Sequence, residues 1–393
     1  MSKWRKKQLQ EIAFLRPTET LKKGDIAPNI PMANIKEFQR DVVKIDYSEF
    51  RGGTKFRNGD TLLAKITPCL ENGKTAFVNC LQEDEIGFGS TEFIVLRAKE
   101  NIDERFLYYL SISPEFRKQA ISLMEGTSGR KRVNENALKI SDFLIPDFEE
   151  QRKIANILSA IDDKIQINNQ INQELEAMAK TLYDYWFVQF DFPDQNGKPY
   201  KSSGGKMVYH PELKRKIPEG WGVESVGNLL DKVTKAEKIE NNLIEFIGEI
   251  PVIDQSQKYI AGFTNNENGL IQPQKGHVIF GDHTRVVKYI NFDYARGADG
   301  TQVLISKNEH ISNVLLYHMI EDFDLSNYGY ARHFKFLKEK IVIVPDKEVS
   351  SKFETQANVI YEKIKNNIFE NQELTRLRDW LLPMLMNGQV KVE

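Results

Sequence analysis

Along the first hundred residues, apolar and polar positions alternate over short spans broken by glycine and proline: TLLAKI, KTAFV and TEFIVL. Alternation with period two, bounded by turn residues, predicts strands. Beyond these the period lengthens. DERFLYYLSISPEFRKQAI reads as helix, and ALKISDFLIP as a last strand ending at proline. The order then recurs: GHVIFG and TQVLIS as strands, NVLLYHMI as helix, KIVIVP as strand. Each block is followed by a long stretch whose apolar residues step by four and three. The first runs Ile154, Leu158, Ile161, Ile165, Asn168, Asn172, Leu175, Ala179, Leu182, Trp186. The second runs Phe353, Ala357, Ile360, Ile364, Asn367, Asn371, Leu374, Arg378, Leu381, Leu385. Each is a coiled-coil seam. Both are interrupted by asparagine, a poor helix former and a costly core residue.

The two stretches are copies. IDDKIQINNQINQEL (Ile161 to Leu175) returns as IYEKIKNNIFENQEL (Ile360 to Leu374), an offset of 360 − 161 = 199. Ile161, Lys164, Ile165, Asn168, Asn172, Gln173, Glu174 and Leu175 all meet identical partners. The same shift carries Pro146-Asp147 onto Pro345-Asp346 and Leu182 onto Leu381. Upstream, Trp4 pairs with Trp221 and Gly59 with Gly276 at offset 217. There GDTLLAKIT faces GHVIFGDHT, and GFGSTEFIVL faces GADGTQVLIS. Offsets that change between blocks fit loops of altered length around a shared core.

The expected fold is α/β (α+β). Two mostly β globular units with helices, 1–147 and 221–346, are each followed by a long helix, 148–190 and 347–393. Residues 191–220, rich in Gly, Pro, Ser and Lys, form a linker with a short hairpin. Antiparallel packing of the helices would bring Asn168 and Asn172 against Asn371 and Asn367, each amide satisfying another. Such polar seam positions lower stability but fix register and orientation, here relating two copied units by a pseudo-twofold axis. The competing reading is two unrelated exposed helices whose asparagines face water. A seam of roughly 35 residues spans about 50 Å, on the order of one and a half turns of duplex DNA.

Composition changes this picture little. A chain of 393 residues, 40% hydrophobic and 28% charged, is an ordinary soluble protein of two or three domains. It has no apolar run of membrane-spanning length, and its start, MSKWRKKQLQEIAF, has no signal-peptide apolar region. Cys69 and Cys80 are too few for a disulfide framework or zinc site and read as reduced thiols in the cytoplasm. A net charge of −2 neither favours nor excludes nucleic acid, since phosphate contacts need only a local basic surface.

The succession of globular block, proline, EQRKIANILSAIDDKI, a helix ending in LYDYWFVQFDFP, then IPEGW and a second block with its helix resembles the specificity subunits of type I restriction–modification systems. The resemblance covers essentially the whole chain and is strongest at Ile145 to Pro193 and Ile217 to Trp221. The second helix departs from the first, with Leu381-Leu382-Pro383 where the first has Leu182-Tyr183-Asp184. The resemblance implies a subunit with no catalysis of its own and no bound cofactor. Each globular unit would be a target-recognition domain reading one half of a split, asymmetric site in double-stranded DNA. The helices would be spacer and docking site for two methyltransferase subunits, which bind S-adenosylmethionine. Motor–nuclease subunits, using ATP and Mg, would complete the complex.

Affinity for DNA comes from Lys and Arg on phosphates, specificity from polar side chains at base edges. In the first unit TSGRKRVNEN offers Arg130, Lys131, Arg132 and Asn134, and LAKITPCLENGKT offers Lys65, Thr67, Asn72 and Lys74. In the second, GDHTRVVK offers His283, Thr284, Arg285 and Lys288, and YGYARHFK offers Tyr330, Arg332, His333 and Lys335. The plain alternative for each is a solvated loop.

Other motifs carry no chemistry. ENGKT lacks the glycine a phosphate-binding loop needs, with Pro68 in its place. Asp147 and Asp346 open helices rather than a nuclease cluster. YDYWF at a helix end is read as a packing cluster or partner patch. No glycine-rich dinucleotide fingerprint and no N-P-P-Y or D-P-P-Y stretch is present. A coiled-coil adaptor joining two proteins without touching DNA is the alternative function, and an enzyme with a diverged site a more remote one.

Overall fold

The computed structural model describes residues 4–42, 44–127, 129–233, 237–245, 248–329 and 332–392. The chain divides into two compact units, 1–168 with 370–393, and 169–369. Each division falls within a long helix, Phe148–Tyr183 or Lys347–Met386. Each unit therefore holds one globular head, part of one long helix and the complementary part of the other.

In the first unit a four-stranded antiparallel sheet runs in the order Ala13–Leu15, Phe93–Ala98, Thr61–Ala64, Thr75–Phe77. A second sheet runs Asp46–Glu49, Ile26–Ile30, Gly87–Gly89, Thr54–Phe56, with its middle pair parallel. Thr61–Ala64 is buried along its whole length, as a central strand covered on both faces must be. The helical stretch predicted after the strands is two helices, Glu104–Ile112 and Pro114–Ser122. Ser113 breaks them: it sits before proline, which disfavours helical backbone, and its side chain accepts from the Phe116 N–H to cap the second helix. ALKISDFLIP is likewise only partly strand. Asn134 caps a short helix, Glu135–Lys139, by accepting from the Ala137 N–H, and the strand is Asp142–Ile145.

The second unit repeats the plan. Val287–Ile290, His277–Gly281 and Thr301–Leu304 form an antiparallel sheet. Gly262–Thr264, Ile250–Ile253, Tyr294–Arg296 and Leu270–Ile271 form a mixed sheet whose middle pair is again parallel. Helices Asn313–Ile320 and His333–Lys338 follow. In both units the first strand of the head pairs antiparallel with the last strand before the long helix. Arg5 stands opposite Ile145, and Gly222 opposite Val344. The shifts, 222 − 5 = 217 and 344 − 145 = 199, are the two read from the sequence. One alignment needs correction. Leu96 faces Thr61 and Leu304 faces Val278, which sets the later block at 304 − 96 = 208 rather than at the 210 implied by facing GFGSTEFIVL with GADGTQVLIS.

The linker does contain a hairpin, Met207–His210 with Arg215–Pro218. Asp147 and Asp346 accept from the N–H groups of Glu150 and Val349, each three residues on, as helix caps do. YDYWF is a packing cluster: Trp186 and Phe187 are buried against Phe353. The helix bearing it closes in a wider π turn, Asp184–Val188.

The long helices pair antiparallel inside each unit. In the first, Arg378 meets Asp162, and Asn168 donates to Asn371 Oδ1 at 2.9 Å and to Glu370 at 2.8 Å. In the second, Asn367 donates to Asn172 Oδ1 at 2.8 Å, and Phe353 meets Tyr183 further along. None of the twenty seam positions is exposed. The asparagines satisfy one another in the predicted pairs. Asn168 and Asn367 are each only 1% exposed, so solvated amides are ruled out for both.

Candidate nucleic-acid interface

In the first head the buried strand Thr61–Ala64 delivers the chain into the 65–74 loop. The 124–133 hairpin comes alongside. Thr67 donates from both its N–H and its hydroxyl to the Lys131 carbonyl, at 3.0 and 3.3 Å, and the Val133 N–H donates to the Lys65 carbonyl at 2.9 Å. Two stretches well separated in the sequence thus form one stitched surface. Arg130 and Lys131 are exposed on it, with no ion pair among the described residues; Asn72 is exposed on the neighbouring loop.

Other basic groups here are held by carboxylates. Arg132 grips Glu92 through two nitrogens, at 2.7 and 3.0 Å, and that hydrogen bonding holds the Glu92 carboxyl below its usual range. Arg16 and Lys65 share Glu135, at 2.5 and 3.5 Å. Asn134 is occupied as the helix cap and donates to Glu125 at 3.0 Å. Lys74 turns inward, its ammonium on the Met32 carbonyl at 3.1 Å. Sequence reasoning missed Arg117, which lies 4.7 Å over the Phe38 ring and donates to the Glu71 carbonyl at 2.9 Å. Burial pulls its pKa down. No local pattern marks an arginine in a helix as a loop anchor.

The second head builds the same junction from other residues. Strand His277–Gly281 delivers the turn 282–285, which is pinned to the start of helix His333–Lys338. The Asp282 carbonyl accepts from the His333 N–H and lies 3.0 Å from its Nδ1, and the Asp282 carboxylate accepts from the Phe334 N–H at 2.9 Å. Thr284 donates to the Gln255 carbonyl at 2.6 Å, and the His283 N–H donates to the Gln255 side chain at 3.2 Å. His283, Thr284 and Arg285 are exposed. Arg285 holds a φ of 65°, a left-handed conformation uncommon for a bulky residue. Arg332 and Lys335 are exposed near the pinned helix start. Tyr330 lies outside the described residues.

Two expected contacts need correction. His333 is 4% exposed, its ring occupied by the Asp282 carbonyl. Lys288 is also 4% exposed, and its ammonium donates to the carbonyls of Asp254, at 2.8 Å, and Lys258. The repeat alignment that points to GDHTRVVK and YGYARHFK does not distinguish an inward side chain from an outward one. The Lys288 ammonium and the His333 Nδ1 both face backbone carbonyls of their own head. Gln255, which accepts from the His283 N–H and the Thr284 hydroxyl, stands on a different strand's loop and gave no signal in the sequence. No cluster of potential metal ligands occurs among the described residues.

Each head thus presents exposed loops that carry cations and are hydrogen-bonded to a neighbouring segment. Residues 1–177 match the family model described as Type I restriction modification DNA specificity domain. The MjaIX type I restriction enzyme specificity subunit of Methanocaldococcus jannaschii is 25% identical over 325 residues, 75% of this chain and 71% of that protein. The HindI specificity subunit of Haemophilus influenzae is 25% identical over 416 aligned positions, 85% of this chain and 87% of that one. The crystal structure of a type I restriction–modification S subunit from M. genitalium shares the fold, with a TM-score of 0.54 at 16% identity over 98% of this chain and 96% of that one.

Residues 1–177 therefore form a type I specificity domain. The two relatives, which align with most of this chain, are specificity subunits of type I restriction enzymes.

Proposed function

We propose that this chain reads a bipartite, asymmetric site in double-stranded DNA, one half with each head. The target-recognition domains are residues 1–147 and 221–346, and the long helices serve as spacer and as docking site for two methyltransferase subunits. The chain itself performs no catalysis and holds no cofactor. S-adenosylmethionine, ATP and Mg belong to its methyltransferase and motor–nuclease partners, in the cytoplasm. The observation that carries this reading is the matched pair of loop junctions. Both heads join the turn after the same strand to the start of the same short helix, yet one exposes Arg130 and Lys131 and the other His283, Thr284 and Arg285. A shared scaffold with unlike surface side chains is what two readers of different sequences require.

Exposed apolar residues on the helices supply the docking faces. Leu377 and Trp380 stand one turn apart in the first unit, and Met178 and Val359 are exposed in the second. The test is methylation mapping of host DNA with and without this chain, its methyltransferase partner present. A split motif that vanishes on deletion is expected, and replacing residues 1–147 by another specificity domain should change one half only. An unchanged methylome would make the chain an adaptor between proteins, and a change in both halves would end the two-reader model.

A further inference from the structure

We propose that Lys288 and Lys74 are positioning residues for recognition: each ties down the loop next to the reading surface of its own head, and neither touches DNA. This rests on the DNA-reading function proposed above. Lys288 lies on strand Val287–Ile290, beside the strand that delivers the 282–285 turn. Its ammonium reaches across the head to the carbonyls of Asp254 and Lys258, with the Asp254 carboxylate 3.9 Å away. Those carbonyls bracket a five-residue loop, 254–258. The same loop holds the reading turn, since Gln255 accepts from both Thr284 and His283. The chain of contact runs from Lys288 through Gln255 to the exposed residues.

The first head has the same device. Lys74 donates to the Met32 carbonyl. Met32 and Gln255 occupy equivalent places, because Ile30 and Ile253 end the strands that run parallel to Gly87–Gly89 and Tyr294–Arg296, and each loop residue lies two further on. This loop too is stitched to the reading side: the Phe38 N–H donates to the Gly73 carbonyl at 3.1 Å, and Arg117 joins Phe38 to Glu71.

The two lysines are not copies of one residue. Lys74 stands opposite Ala64, whose counterpart Gly281 is bonded to Val286, while Lys288 stands opposite Ile279. They are two positions apart on corresponding strands, hence on the same face. The clamp is therefore kept although the residue supplying it has moved. Burial pushes the Lys288 ammonium down to about 8, with Asp254 opposing that shift. A cation held at such cost, with carbonyls as its partners, is placed for the loop rather than for solvent or phosphate.

The experiment uses the full chain assembled with its methyltransferase subunits and duplexes carrying the mapped site or base changes in either half. A lysine on a phosphate contributes about 0.9 to the slope of log affinity against log salt. A positioning lysine contributes nothing to that slope but controls base discrimination. Lys288→Met should lower discrimination in the second half at least tenfold and leave the first half and the salt slope unchanged. Lys74→Met should do the reverse. Either result supports the clamp. A slope reduced by about one phosphate, or undiminished discrimination in the matching half, overturns it. Should Lys288→Met unfold its head, the partly buried Lys74 decides alone. A wild-type complex that discriminates in neither half would sink the underlying reading rather than the clamp.

Discussion

The place where each head packs on its helices has one geometry and two chemistries. In the first unit Tyr109 donates to Asp162 at 2.7 Å, and Asp162 accepts from Arg378 at 2.9 Å, with Asp162 and Arg378 each 4% exposed. Burial works against the Arg378 charge, but Asp162 and Asp379 more than offset it and hold the guanidinium above its ordinary value. In the second unit the matching residues are His318, Tyr361 and Ala179. The helix shift gives 162 + 199 = 361 and 378 − 199 = 179, and the helix caps Asp103 and Ser312 set 109 + 209 = 318. There the His318 Nε2 meets the Tyr361 hydroxyl at 3.1 Å and its Nδ1 lies 2.7 Å from Glu321. A buried ion pair has become an aromatic and imidazole contact at unchanged backbone positions. Position along a repeat fixes which groups meet. The partners must then change together, because a lone buried charge is costly and a matched exchange need not be.

The largest test of this contrast is Arg378→Ala, which leaves Asp162 charged and unpaired and should cost about 3–5 kcal/mol. Hydrogen exchange followed by mass spectrometry should show the loss over residues 104–122 and leave 313–320 protected. Adding Asp162→Tyr, which reproduces the second unit's pair, should restore much of the protection. If the double variant is worse than the single, the two junctions are not equivalent.

A second difference is that only the second head buries its clamp lysine fully; Lys74 is partly exposed. The folded pKa of Lys288 lies below its unfolded value of 10.5. Between about pH 8 and 10.5 the unfolded chain binds the extra proton, so stability should rise with pH in that window. Chemical denaturation of wild type against Lys288→Met should show a gain on the order of 2 kcal/mol. A flat difference would mean that the ammonium titrates in the folded head as it does in the unfolded chain.

Tyr361→Phe removes one partner of a buried imidazole and should cost about 1 kcal/mol in the second unit. Asn168→Leu should change stability by less than about 1 kcal/mol yet loosen register. Spin labels at Ala160 and Leu377, both in the first unit, would report that as a broadened distance distribution. A distribution as narrow as the parent's would remove the asparagines' registering role.

Much of this was legible. The seam spacing predicted which face of each long helix is buried and which asparagines meet, because a helix surface depends on local period alone. The repeated offsets agree with the equivalent pairings of first and last strands in the two heads, but the pairing itself was not legible in the sequence. The offset error between 210 and 208 arose from matching glycines and threonines. A two-residue slip keeps every side chain on its face, so alternation could not expose it. Among the candidate residues, the exposure of Arg130 and Lys131 fits their glycine-rich turn, and that of His283 and Arg285 fits the repeat alignment that points to their loop. Inward-facing Lys288 and His333 looked the same in sequence.

The sequence by itself determined the two-copy plan, the helix faces and the segments that carry the exposed basic loops. These follow from periodicity and turn residues, which act over a few positions. Only the tertiary structure decided which basic side chains face outward and which hold a loop. Lys288 depends on carbonyls some thirty residues away, and Arg378 on a carboxylate more than two hundred away. The free energy of a charge is set by whatever the fold brings within a few ångströms of it, and no local pattern records that.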